Sequence, residues 1–260
     1  MQMILKHNRP QLSAVLQSAG KLISIEDVMK ELRFERQKAA KILSRWMHQG
    51  WLVRIAPGLY APVPLDAQTA EQVIEDPWII VPYLFNPCYI GGWSAAGHWD
   101  FTEQIFRSIQ VITTMPVRHK TQIYHGTELV LKHISSESFF GFKTVWRGEV
   151  KVFVSDKHRT IIDMLDTPEI GGGIVHVTDC FKAYLKDEEY NPIQLIEYAK
   201  RLGNGAVFKR LGFLAEKHGI SSLVKPCLEN MTTGNAKLDP AIHSHRLIKK
   251  WNLWIPEKWN

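Results

Sequence analysis

At 260 residues, with 45% hydrophobic and 22% charged residues, the chain has ordinary globular composition and room for one large or two ordinary domains. Its formal net charge of +6 is carried by one stretch. Residues 1–64 hold ten lysines and arginines against Glu26, Asp27, Glu31 and Glu35, while the remaining 22 basic and 22 acidic residues cancel. Three cysteines far apart, Cys88, Cys180 and Cys227, argue against a zinc ribbon or a disulfide scaffold, and Met1–Pro10 lacks the apolar run of a signal peptide. The densest apolar run, Trp78–Phe85, is broken by Pro82 and far short of a bilayer span. A cytoplasmic protein without a membrane segment is expected, and its locally basic end makes nucleic acid the first partner to consider.

In chain order, Pro10 stands where a first helical position would be, with Leu12, Val15 and Leu16 on one stripe and Gly20 as the stop. Ser24 followed by Asp27 has the form of a capping box opening a second helix, Ile25–Leu32, whose apolar residues keep the helical period. After a turn at Arg33 and Phe34, a third helix is expected over Glu35–Gln49. It places Ala39, Ile42, Leu43, Trp46 and Met47 on one face and Lys38, Lys41, Arg45 and His48 on the other. Two strand-like runs, Trp51–Ile55 and Leu59–Ala61, are joined by Ala56-Pro57-Gly58, a turn sequence.

Three helices and a hairpin in this order predict a winged helix-turn-helix. Such a domain puts its third helix in the major groove and its wing against the adjacent backbone. Arg36, Gln37, Lys38 and Lys41 are the candidates for base edges, Arg45 and Arg54 for phosphates, with Gly58 at the wing tip. A basic face that is merely solvated, or a winged helix used for protein contact, is the alternative. The proline-rich Ala61–Pro64 marks a boundary between a domain over 1–64 and a second over 65–260.

The second domain is expected to be mixed α/β with a mainly helical end, making the whole chain α+β. Helix is predicted over Ala67–Glu75, a buried segment over Trp78–Phe85, and a short helix over Ser94–Asp100. Strands follow over Ser108–Thr113, Gln122–His125, Glu128–Ile134, Phe142–Trp146 and Glu149–Val154. Helices return over Asp156–Leu165, Val177–Leu185, Pro192–Leu202, Ala206–His218 and Ser222–Asn230, and the tail from Leu238 to Trp259 is too rich in Trp and Leu to be disordered.

Several stretches together resemble AbiEi-type antitoxins of type IV toxin–antitoxin systems over almost the full length. They are Gly50-Trp51-Leu52 with Pro57-Gly58-Leu59-Tyr60, Tyr89-Ile-Gly-Gly-Trp-Ser-Ala-Ala96 leading to Phe101-Thr-Glu-Gln104, and Val154-Ser-Asp-Lys-His-Arg-Thr-Ile-Ile-Asp163 followed by three glycines at 171–173. Leu211-Gly-Phe-Leu-Ala-Glu216 and Lys237-Leu-Asp-Pro240 with Trp251–Trp254 complete the likeness. The chain departs from the family at His158, where many members carry Glu. The resemblance implies a DNA-binding autorepressor acting at inverted repeats in promoter DNA. It also implies a C-terminal domain that neutralises a nucleotidyltransferase toxin without a stable complex, in phage defence by abortive infection.

Read from the residues alone, other chemistry is weaker. Glu149-Val-Lys151 has the E-x-K spacing of a metal-dependent nuclease, but the available carboxylates Asp76 and Asp100 are not on the preceding strand. Gly171–Gly173 lacks the Lys-Ser/Thr of a phosphate loop, and His243-Ser-His245 has no nearby third ligand. No catalytic residue, metal or cofactor is therefore expected. The leading reading is a non-enzymatic repressor and antitoxin; a winged-helix-delivered nuclease and a plain regulator with a sensing domain remain as alternatives.

Overall fold

The structure, a computed structural model, describes residues 2–64, 74–257 and 259. It divides into two units. The first is Met1–Asn86 with Gln122–Glu128 and Trp146–Val152, and the second is Pro87–Thr121, Leu129–Val145 and Phe153–Asn260.

In the first unit, helix α1 covers Gln2–Ala19 and carries Pro10 inside it. Pro10 does not open the helix as expected. Its fixed φ suits a helix, so the chain continues through it at the cost of one backbone hydrogen bond. A two-residue strand β1 (Ile23–Ser24) follows, then α2 (Ile25–Leu32). The Ser24 hydroxyl accepts from the Asp27 N–H at 3.1 Å and the Asp27 carboxylate accepts from the Ser24 N–H at 2.7 Å, the reciprocal cap that the sequence suggests. Arg33 ends α2 in the left-handed region, and α3 runs Arg36–His48.

Strands β2 (Leu52–Ala56) and β3 (Leu59–Pro62) form an antiparallel hairpin turned by Pro57-Gly58, and β1 pairs with β3 to give the order β1-β3-β2. Proline before a glycine at φ +82° suits a tight turn whose second central residue needs positive φ. Leu12, Val15, Val28, Ala39, Leu43, Trp46 and Leu52 fill the core among these elements, and Trp46 is wholly buried. The first unit also holds a 3₁₀ turn (Pro77–Ile80) running into α4 (Val81–Phe85). The helix expected over Ala67–Glu75 lies, as far as residue 73, outside the described residues, and Ile74 and Glu75 are not helical.

A six-stranded sheet has the order β6-β7-β5-β4-β9-β8. Its strands are β4 (Cys88–Ile90), β5 (Ser108–Thr113), β6 (Thr121–Tyr124), β7 (Thr127–His133), β8 (Phe142–Arg147) and β9 (Val150–Ser155). Strand β4 pairs antiparallel with β5 and parallel with β9, and α5 (Gly92–His98) follows it. The helical half comprises α6 (Lys157–Asp166), α7 (Ile174–Tyr184), α8 (Pro192–Leu202), α9 (Gly205–Lys217) and α10 (Ser221–Asn230).

The tail forms a small sheet, β10 (Ala236–Lys237), β12 (Leu253–Ile255) and β11 (Arg246–Ile248), in that spatial order. Trp251, Leu253 and Ile255 are buried in the helical core, and the Trp251 indole N–H donates to Glu216 at 2.7 Å. The tail tryptophan thus pins the chain end to α9. The chain is α+β. Among the described residues, no helix is long and apolar enough to cross a membrane.

Candidate nucleic-acid interface

Helix α3 is divided lengthwise. Ala39, Ile42, Leu43 and Trp46 are buried, while Arg36, Gln37, Lys38, Lys41, Arg45 and His48 are exposed. Lys38, Lys41, Arg45 and His48 recur at i, i+3, i+7 and i+10 and so share one stripe. At the helical rise, ten residues span about 15 Å, comparable with the ~12 Å width of the major groove.

The start of α3 differs from that of α2. Glu35, at the N-cap, makes no side-chain hydrogen bond to the first turn. The positive end of the helix dipole is therefore not offset there by a side-chain cap, next to Arg36, Gln37 and Lys38.

Two of the expected contact residues are already engaged. The Arg36 guanidinium donates to Glu26 in the first turn of α2 at 2.7 Å. That hydrogen bond, more than the charge itself, holds the Glu26 carboxyl below its ordinary range. Lys38 Nζ lies 3.9 Å from the centroid of the Phe34 ring, a cation–π contact that bends the side chain toward the turn. Arg9 lies over Trp51 in similar fashion, at 5.9 Å.

On the β2–β3 hairpin, Arg54 is exposed and its Nε donates to the Ala56 carbonyl of the same strand at 3.4 Å. The Arg54 carbonyl accepts from His125 Nε2 at 2.8 Å. His125 sits in the β6–β7 turn beside Gly126, both at positive φ. Gly58 is half-buried, and its carbonyl accepts from the Ile25 N–H at 3.2 Å. The tip of the β2–β3 hairpin is thereby tied to the first residue of α2. Sequence reasoning missed Glu26 and His125, whose partners lie 10 and 71 residues away. Neither distance leaves a local pattern.

The stretches set aside as weaker chemistry have structural places. Glu149 lies in the turn before β9 and not on the strand as expected, because the hairpin turns at Gly148–Glu149. Its carboxylate lies 2.8 Å from where a side chain on Gly20 would begin. Asp76 Oδ1 accepts from the Trp78 N–H at 3.0 Å, and its other oxygen lies 3.7 Å from Arg147. Burial pushes the thiols of Cys88, Cys180 and Cys227 up to about 12. Among the described residues, no group of three or more His, Cys, Asp or Glu is placed to hold a metal ion.

In the second unit, the Val154–Asp163 stretch builds a buried polar cluster. Arg159 Nε donates to Asp163 at 2.9 Å, the Tyr89 hydroxyl donates to the other Asp163 oxygen at 2.9 Å, and the Arg159 guanidinium lies 4.1 Å from the Phe140 ring centroid. Arg159, Asp163 and Tyr89 are all fully buried. A buried ion pair braced by the Tyr89 hydroxyl fixes how α6 seats against β4. Thr102, from the Phe101–Gln104 stretch, meets His176 Nε2 at 2.9 Å, and His176 Nδ1 donates to the Gly171 carbonyl at 2.6 Å.

No family model matches the chain, and no curated protein matches it. Among solved structures, the Rv2827c protein from Mycobacterium tuberculosis matches with a TM-score of 0.60 over 95% of this chain and 91% of its own, at 12% identity. At that identity the likeness shows the α+β fold alone.

Proposed function

We propose that this chain is a DNA-binding transcriptional autorepressor and antitoxin. The first unit is read as a winged helix-turn-helix that lays α3 in the major groove of inverted repeats in promoter DNA, with the β2–β3 hairpin against the flanking backbone. The second unit is read as the antagonist of a nucleotidyltransferase toxin, acting in the cytoplasm without catalysis and without a stable complex. The observation that carries the DNA reading is the exposed stripe Lys38, Lys41, Arg45 and His48 on a helix whose opposite face is packed into the core. Such a stripe supplies phosphate contacts along its length, and its N-terminal residues reach base edges. The antitoxin reading rests on the resemblance of the stretches at 89–104, 154–163 and 211–216.

Separation of the two activities tests the whole reading. The full-length chain and its Lys38→Ala/Lys41→Ala variant are each expressed beside the neighbouring nucleotidyltransferase, which runs from an independent promoter. The variant loses repression of its own promoter and still restores growth. Loss of rescue together with repression would leave a repressor and remove the antitoxin.

A further inference from the structure

A cleft of about 360 Å³ opens in the second unit beside β5 and β7, at the low end of the ~300–1,000 Å³ range of small-molecule sites. Val117, Val130, Leu131 and Ile170 give it apolar walls, and Trp93 lines it as well. Trp93 is immobilised, because its indole N–H donates to the Ser108 carbonyl at 2.9 Å and its ring stacks on Phe106 with centroids 5.1 Å apart.

Gln110 also lines the cleft, from the middle of β5, and is fully buried. Its Oε1 has no hydrogen-bond partner, and its Nε2 reaches only the Val111 carbonyl, at 3.5 Å. The backbone of Gln110 is fixed on both sides. Its N–H donates to Ser94 Oγ at 2.9 Å and its carbonyl accepts from the Gly91 N–H at 3.0 Å. Gly92 makes the arrangement possible, since a Cβ there would stand 2.1 Å from the Ile170 carbonyl oxygen and 2.9 Å from Gln110 Cγ. Gly91, Gly92, Trp93 and Ser94, consecutive in sequence, thus all serve one cleft.

An unpaired carboxamide oxygen in an apolar wall costs stability unless a ligand satisfies it. The ligand must bring an N–H or O–H donor to Gln110 on a body flat and apolar enough for Trp93 and the aliphatic wall. Turned end for end, the carboxamide would present its NH₂ to a ring nitrogen instead, so either orientation reads the edge of a nucleobase. The lining includes exposed Lys120 and His133, and Lys132, whose ammonium is held by Asp166 at 2.6 Å and Thr167 at 2.8 Å; Glu169 is the one carboxylate in the lining. The Lys120 ammonium suits an anionic group on the same ligand. We infer that the cleft between Trp93, Gln110 and Lys120 binds a free nucleoside monophosphate, its base against Trp93 and Gln110 and its phosphate toward Lys120 and His133. The site is independent of the DNA-binding reading of the first unit.

Calorimetric titration and thermal melting of the full chain with AMP, GMP, CMP and UMP, each at millimolar concentration, test this. Inorganic phosphate and a ten-residue oligonucleotide serve as controls. At least one nucleotide binds and raises the melting temperature. Gln110→Met, which removes the buried unpaired oxygen, melts at or above the wild-type temperature but binds at least about tenfold more weakly. Lys120→Ala, at an exposed position, also weakens binding and flattens its salt dependence, and it decides the matter if Gln110→Met fails to fold. The inference is overturned if none of the four nucleotides binds, or if phosphate alone gives the same shift. Binding of the oligonucleotide only, or unchanged binding in the variants, overturns it equally.

Discussion

If α3 reads DNA as proposed, Glu26 competes with DNA for Arg36, and Glu26→Gln should tighten DNA binding. The pair is direct, at 2.7 Å, but the two side chains are 65% and 66% exposed. An ion pair in that setting contributes about 0.2–1 kcal/mol. If Arg36 must leave Glu26 to reach a phosphate or a base, this energy is lost from the binding free energy. Removing the competition strengthens binding by about 1.4- to 5-fold. The same substitution removes a carboxylate from the first turn of α2, where it favours the helix dipole by about 0.3–1 kcal/mol, so a small loss of stability accompanies the gain. Fluorescence anisotropy on a labelled promoter duplex, at one fixed salt concentration, measures the effect. A double-mutant cycle with Arg36→Ala separates competition from simple loss of negative charge. The gain should vanish when Arg36 is absent. An equal gain in the Arg36→Ala background, or weaker binding by Glu26→Gln, refutes the competition argument.

Further outcomes follow from the same geometry. Lys41→Ala with Arg45→Ala should reduce the slope of log K against log salt by about 2, since each phosphate contact contributes about 0.9, while the melting temperature stays within a degree or two of wild type because both side chains are exposed. Arg54→Glu should weaken binding without unfolding the chain and shorten the protected footprint on the side touched by the wing; a footprint of full width would show that the wing does not reach DNA. Burial holds the His158 imidazole below its ordinary 6.5, against the opposing pull of Asp156, Glu189 and Asp187, and its Nδ1 meets the Tyr184 hydroxyl at 2.7 Å. The unfolded chain therefore takes up this proton first as pH falls below about 6.5, and stability present above that pH is lost on acidification. His158→Gln should lose less melting temperature than wild type between about pH 7.5 and about pH 5.5; equal losses would place the acid sensitivity elsewhere.

The legible parts of the fold are those written in local chemistry. Ser24 and Asp27 announce α2 because a capping box spans only four residues, and Pro192 stands at the start of α8 as expected. The division of α3 follows from its 3.6-residue period. Strands β1 and β4 are too short to show any period, and β4 exists because β5 and β9 flank it, Ile90 lying opposite Val154. Pro10 misled because proline is also tolerated inside a helix when one hydrogen bond is given up.

At the candidate interface, residue type and helical face were legible for Arg36, Gln37, Lys38, Lys41 and Arg45. The partners were not. Arg36 meets Glu26 only because the Arg33 turn brings α3 back toward the start of α2, and Arg54 meets His125 through a hairpin formed far along the chain. Gln110 was visible only as one polar residue among the apolar neighbours of Ser108–Thr113, and nothing in that strand reveals that Gly92 leaves room for it.

The most direct test of the central claim is footprinting of the full-length chain on the DNA upstream of its own gene, with wild type and Lys38→Ala/Lys41→Ala compared at the same salt concentration. The wild type should protect discrete inverted repeats, and the double variant, folded and of unchanged melting temperature, should protect none of them at concentrations that saturate wild type. Protection by the variant at wild-type concentrations, or none by either protein, would contradict the assignment of α3 as the helix that reads DNA.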